Sequence, residues 1–425
     1  MLQSIKSILL KTSFKQVAIY TITASLCKAI SFAALPFFVN ILSAGDIGIL
    51  TIFSNCIVFL TPIISLGTLY TISIDYFKLS KEKYAEKFSA GILIPIVFSL
   101  LLVPVLYIFS APLARGFNFQ PTFFWLIPLC LFLNFCFEAF IILMRNQNNV
   151  RLFTIVSLVK ILLEIGLSIF FIFFIYKNWY SRALGYLLSG VVIGVLFFLH
   201  IRKNKFLVKR VNYLTLKKEL YFGLSGLILQ TAIFFLNSSD KFFAMAFFGK
   251  EKAGYYSVAS TFAAIQYIVC AALLQYLTPV LYKNFAKLQT WRNLQHLYYK
   301  FFLAMFVALI GVTIFTYMIY HFILKTEYKE YACFSYILGA GSFLWAIGSV
   351  FLQYIIFNKN KKVIFHVSIL TIFISVVVNY LASKYLAIQW LCVAQIISSL
   401  LTLLVILYYN KKQYFFNFDK ANVIT

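Results

Sequence analysis

Apolar residues in this chain come in long unbroken runs rather than at the alternating spacing of a half-buried strand. Twelve runs stand out, at 16–43, 47–74, 88–110, 122–144, 152–176, 183–201, 220–248, 254–282, 301–324, 332–357, 363–386 and 389–409. A helix needs roughly 20 apolar residues to cross a hydrocarbon core about 30 Å thick. Backbone in lipid must satisfy its own hydrogen bonds, so such runs are read as helices. The pattern predicts an all-α integral membrane protein with twelve transmembrane helices. The links between runs are short, and none is long enough for a separate soluble domain. The first run lacks a small-residue cleavage site and is followed by eleven more, so it is expected to be retained.

Composition agrees. The 425 residues are 62% hydrophobic and 12% charged, against roughly 45–50% and about 25% for an average soluble chain. A water-soluble enzyme is excluded. The formal net charge of +25 invites a nucleic-acid reading, but the distribution of the basic residues opposes it. Of the 37 Lys and Arg, 26 fall on the segments that alternate with the N-terminus, 8 in the opposite links or, for Lys384, at the run end beside one, and 3 deeper inside runs. That asymmetry is positive-inside topology with both termini cytoplasmic, together with attraction to anionic membrane lipids. Cys27, Cys56, Cys130, Cys136, Cys270, Cys333 and Cys392 all lie in runs without metal-type spacing, and read as packing residues.

The longest basic segment, 202–219, divides the runs six and six. It predicts an N-terminal six-helix bundle (1–201), a basic cytoplasmic linker (202–219) and a C-terminal six-helix bundle with a short tail (220–425). Phe206, Val208, Val211, Leu214 and Leu216 among its charges fit either a surface-lying amphipathic helix or a solvated linker. A shift of 206 residues lays the first two runs over the seventh and eighth and aligns Phe37 with Phe243, Gly48 with Gly254 and Ser54 with Ser260. Parallel six-span repeats around a midplane site are one way transporters are built. Pro36 in the first run is a candidate hinge, since proline removes a helical hydrogen bond. Gly190 and Gly194 form a Gly-x-x-x-Gly packing step.

Charges inside the runs are the candidate chemistry, because each costs roughly 2.5–3.5 kcal/mol at the bilayer centre on insertion scales. They are Lys28, Glu138, Lys160, Glu164, Asp240 and Lys241. Lys160 and Glu164, four apart, share a helix face and can pair. Asp240 and Lys241 are adjacent and point about 100° apart, so at least one should face a cavity or another helix. Lys28 has no local acid, which points to an anion-binding cavity. No metal-ligand spacing and no phosphate-cradling glycine loop of the Gly-x-x-x-x-Gly-Lys type is present, so neither cofactor nor ATP hydrolysis is expected.

The stretch 237–260, with Asp240-Lys241, Gly249 and then Gly254-Tyr255-Tyr256-Ser257, resembles the seventh-span signature of polysaccharide repeat-unit flippases, the O-antigen and capsule exporters. The segment 41–54, with Gly48 opening the second span, is similar to that family's first link. The family lies in the multidrug/oligosaccharidyl-lipid/polysaccharide (MOP) exporter superfamily. The resemblance implies a MATE-like fold of two six-helix bundles and a monomer in a bacterial inner membrane. The implied substrate is an oligosaccharide repeat unit on undecaprenyl diphosphate, moved outward by alternating access through a central cavity. Lys28 and Lys241, with Asp240, Lys160, Glu164 and Glu138, would line that cavity. Glu138, Glu164 and Asp240 also suggest proton or sodium coupling. The alternatives are a MATE-type multidrug exporter of the same fold, or a membrane glycan polymerase or glycosyltransferase, which would want a large outer loop that this chain lacks.

Overall fold

The computed structural model describes residues 2–117, 122–208, 211–286, 291–358 and 360–411. Arg115 belongs to a stretch whose side chains are outside this description, as do the basic residues of the N-terminal segment and of the tail after Lys411. The described residues are helical almost throughout, with no strand among them.

The chain divides into two compact units, residues 1–43 with 53–227 and residues 44–52 with 228–425. The first contains α1 (Leu2–Ile41), most of α2 (Ala44–Ser65), α3 (Thr68–Lys78), α4 (Lys81–Phe117), α5 (Thr122–Asn146), α6 (Val150–Phe174) and α7 (Trp179–Lys203). The second holds most of α8 (Tyr213–Ala286), then α9 (Trp291–Phe322), the single turn α10 (Thr326–Lys329), α11 (Ala332–Phe357), α12 (Lys361–Tyr385) and α13 (Gln389–Asn410).

Among the described residues, eleven helices are long and apolar enough to cross a membrane. The expectation was twelve. The difference lies at 220–282, where the expected seventh and eighth spans form one element, α8, interrupted only at Gly249 (φ 81°, ψ 172°). A single residue in this left-handed, extended conformation reverses the chain without a loop. Gly tolerates it because it has no Cβ to clash. The expected second span, 47–74, is instead broken at Leu66 and Gly67, both at positive φ (42° and 69°), four residues after Pro62. Pro36 lies inside a continuous α1. The described residues after Lys203 form a short non-helical link, and helix resumes at Tyr213 as the start of α8. Among the described residues of this link there is no separate helix, and Phe206 is buried among Tyr84 and Phe88.

In the first unit α7 packs on α5 and α6, and α1 packs on α6. Gly190 and Gly194 bring α7 close to Leu133 of α5, which is the packing role their spacing suggested. In the second unit α13 packs on α11 and α12, with Gly341 against Gln395 and Gly348 against Leu403 and Ile406.

Candidate transport site: charged groups inside each unit

Within the first unit the i,i+4 pair forms. Lys160 Nζ donates to Glu164 Oε2 at 2.8 Å, with the lysine 9% exposed. The ammonium also lies over two aromatic faces, 4.7 Å from the centroid of Tyr186 on α7 and 5.4 Å from that of Phe137 on α5. A cation set against ring faces gains about 2 kcal/mol or more when desolvated, which helps to offset its removal from water. Glu138, half-buried on α5, lies within electrostatic reach of Lys160 and Arg145. Tyr186 donates its hydroxyl to Asn134 Oδ1 at 3.2 Å, and Asn134 Nδ2 reaches Thr61 Oγ1 at 3.4 Å. The cluster thus draws on α2, α5, α6 and α7.

Arg182 joins this cluster, although the sequence reading put it in an outer link. Its guanidinium sits 3.9 Å from the centroid of Phe38 and within electrostatic reach of Glu164. The signal was available in Asn178. Its Oδ1 accepts from Tyr180 N at 3.1 Å, an N-cap of the kind Asn favours, so α7 begins at Trp179 and includes Arg182 in its first turn. Tyr186 and Asn134 were missed because neither is charged, and their value comes only from what they face.

Lys28, expected to line a cavity, is exposed on α1 and forms no ion pair among the described residues. The structure does not bring it into the Lys160 cluster.

In the second unit Asp240 and Lys241 are both buried, at 2% and 8% exposure. Their ion pair is long at 3.4 Å, as adjacency on a helix predicts. Each has found another partner. Lys241 Nζ donates to the carbonyl of Asn237 at 3.1 Å, and Asp240 Oδ2 accepts a 2.6 Å hydrogen bond from the Tyr256 hydroxyl. Tyr256 lies beyond the Gly249 break, so this bond ties the two arms of α8 together. Next to Asp240, Ser239 Oγ accepts from Asn379 Nδ2 of α12 at 3.2 Å.

The two glycines aligned by the repeat meet directly. A Cβ on Gly254 would collide with the carbonyl of Ala44, and one on Gly48 with the carbonyl of Lys250 while standing 3.1 Å from Gly254 N. The start of α2 and the second arm of α8 therefore cross backbone to backbone inside the second unit, which explains why both positions need glycine. Nearby, Tyr255 stacks on Tyr331 at 4.6 Å, and burial raises the phenol of Tyr328 in the link before α11 above the usual tyrosine range.

Comparison with known proteins completes the picture. The fold matches a multidrug-resistance MATE-family transporter of the MOP superfamily in an inward-facing conformation, with TM-score 0.69 and 14% identity over 94% of this chain and 99% of that one. It also matches the lipid II flippase MurJ in an inward closed conformation, with TM-score 0.68 and 14% identity over 93% of this chain and 87% of that one. An outward-facing MATE-family transporter gives TM-score 0.59 and 15% identity over 96% of both chains. At such identities the likeness speaks for fold alone. Comparison of the sequence with curated proteins finds no match. A family model described as polysaccharide biosynthesis protein matches residues 13–285, well over half of the chain and through both glycine-bearing links. The chain is a multi-pass membrane protein that belongs to the polysaccharide biosynthesis protein family, with the fold of MOP-superfamily transporters.

Proposed function

We propose that this protein translocates undecaprenyl-diphosphate-linked oligosaccharide repeat units from the inner to the outer leaflet of a bacterial cytoplasmic membrane, for O-antigen, capsule or exopolysaccharide assembly. The observation that carries the reading is the family match over residues 13–285, on a fold shared with a lipid II flippase. The physics supports it. A diphosphate cannot cross hydrocarbon unaided, whereas its polyprenyl tail can remain in the bilayer while the head moves through a polar, cationic interior. Lys160 supplies buried and Arg182 half-buried positive charge in the first unit, and Lys28 adds an exposed ammonium on α1. Alternating access of the two units is the matching mechanism, with Pro36 as a hinge. Glu138 and Glu164, beside these cations, are the candidates for coupling to a proton or sodium gradient, while Asp240 is tied up by Tyr256.

The test is a deletion strain whose lipid-linked saccharides are extracted and assigned by length and leaflet. Complete single repeat units trapped on the inner face, with surface polymer lost, support the flippase. Single units reaching the outer face would indicate a polymerase. Unchanged glycan lipids with new drug sensitivity would indicate a multidrug exporter. In reconstituted vesicles, transport should fall when both proton and sodium gradients are collapsed; undiminished flipping refutes ion coupling.

A further inference from the structure

On the basic face of the first unit, away from the Lys160 cluster, lies a cavity of about 470 Å³, within the range of roughly 300–1,000 Å³ typical of small-molecule sites. Its floor is aromatic. Tyr84 and Phe206 are buried, 5.7 Å apart edge to face, and Tyr76 stands perpendicular to Tyr84 at 5.3 Å. Its rim is polar, formed by Lys81, Gln147 and Asn204.

Two helix ends shape that rim in the same way. Helices α5 and α7 each terminate in a left-handed residue, Asn148 (φ 53°) and Lys205 (φ 56°), held by the bonds Asn149 N to Met144 O at 2.9 Å and Phe206 N to Ile201 O at 3.0 Å. The amide side chain just before each turn, Gln147 or Asn204, lines the cavity. Phe206 is fixed in place by Ser89, whose Oγ accepts from Val208 N at 2.9 Å. The cavity walls are therefore built from closed turns.

The polar groups facing it are free to bind. The side chains of Gln147 and Lys81 and the Tyr76 hydroxyl make no hydrogen bond to other described residues. Asn204 spends its Nδ2 on the His200 carbonyl at 2.8 Å, leaving Oδ1 open. Of the neighbouring acids, Asp75 is engaged by Lys87 at 2.6 Å and Glu86 by Asn212 N and Thr215 Oγ1 at 3.2 and 3.0 Å, while Glu82, next to Lys81 in the first turn of α4, is exposed. Lys81 also opens α4, where the positive end of the helix dipole favours an anion. Two open amides and a phenol over an aromatic floor suit a ring of hydroxyls with apolar C–H faces, and the ammonium at the helix start suits a phosphate.

We infer that this cavity is a saccharide-phosphate binding site, taking one sugar ring over Tyr76, Tyr84 and Phe206 with its phosphate at Lys81. Its place on the basic face would let it hold the head of a lipid-linked saccharide before transport. That lipid-linked assignment rests on the proposed function, whereas the binding chemistry does not.

The full chain in phosphatidylcholine nanodiscs is tested by saturation-transfer NMR against the 1-phosphates of glucose, galactose, mannose and N-acetylglucosamine, with inorganic phosphate as control. The expected result is transfer to ring protons of at least one sugar phosphate, weakened tenfold or more by Lys81→Ala and by Gln147→Leu. Lys81 is exposed and Gln147 half-buried, and unchanged melting temperatures would show that the variants fold. Affinities no higher than that of inorganic phosphate, or unchanged in both variants, overturn the inference. A second arm places a diazirine on the sugar of polyprenyl-phosphate glucose in the same nanodiscs. Labelling of the peptide holding Tyr76 to Tyr84 assigns the site to lipid-linked sugar. Labelling only by a soluble diazirine sugar phosphate assigns it to a free one, and labelling by neither overturns the site. Binding with no transport in reconstituted vesicles would sink the flippase reading alone.

Discussion

Lys160 and Glu164 sit one turn apart on α6, whereas Asp240 and Lys241 are neighbours on α8, and the two pairs have opposite characters. The first closes to 2.8 Å with the glutamate side chain still 20% accessible; the second reaches only 3.4 Å with the aspartate side chain at 2%. The adjacent pair compensates locally, Lys241 with its own helix carbonyl and Asp240 with Tyr256 across the Gly249 break. The separated pair is instead surrounded by groups from other helices and by a second cation, Arg182. Burial of charge thus means different things in the two units. In the second it fastens a helical hairpin, and in the first it leaves a carboxylate still partly exposed.

Substitutions can break this contrast. Asp240→Ala carries the largest expected effect, since removing one member of a buried ion pair costs about 3–5 kcal/mol. It should lower the melting temperature in detergent sharply, while Asp240→Asn, which also leaves Lys241 without its counter-charge but still accepts from Tyr256, should cost less. Equal losses would mean that the hydrogen bond is not what holds the hairpin. Gly254→Ala comes next, at about 1–3 kcal/mol for overpacking, because the new methyl meets the Ala44 carbonyl. A melting temperature unchanged from wild type would contradict the backbone crossing.

For the first unit the expected signature is reversed. Glu164→Gln should reduce repeat-unit transport tenfold or more, equivalent to about 1.4 kcal/mol, with little change in melting temperature. Parallel loss of stability and transport would make the Lys160 pair structural, like its counterpart. Tyr186→Phe sharpens the same point with the smallest effect. It keeps the ring over the ammonium and removes only the bond to Asn134, for about 0.5–1.5 kcal/mol, so transport should fall less than in Tyr186→Ala.

Much of this was legible in the amino-acid order. The lipid-spanning runs, the i,i+4 pair and the poor geometry of Asp240 with Lys241 follow from composition and helical periodicity, which act locally. Span 332–357 coincides with α11. The break at Gly67 was not foreseen, because a lone glycine in an apolar run looks the same whether it packs or turns; at Gly249 the sequence placed a link, and only its closure by a single residue was new. Arg182 was lost through a helix start misplaced by four residues, although Asn178 marked it.

The sequence by itself determined that this chain lives in a membrane, that its basic residues gather on alternating links, and that Lys160, Glu164, Asp240 and Lys241 lie within spans at a cost. Those follow from transfer free energies that each segment carries alone. Only the tertiary structure decided that Tyr256 holds Asp240, that two aromatic faces flank Lys160, that Gly48 meets Gly254, and that two helix ends and Phe206 close around a polar cavity. Each of these joins residues distant in the chain, and no local preference encodes which distant group a side chain will face.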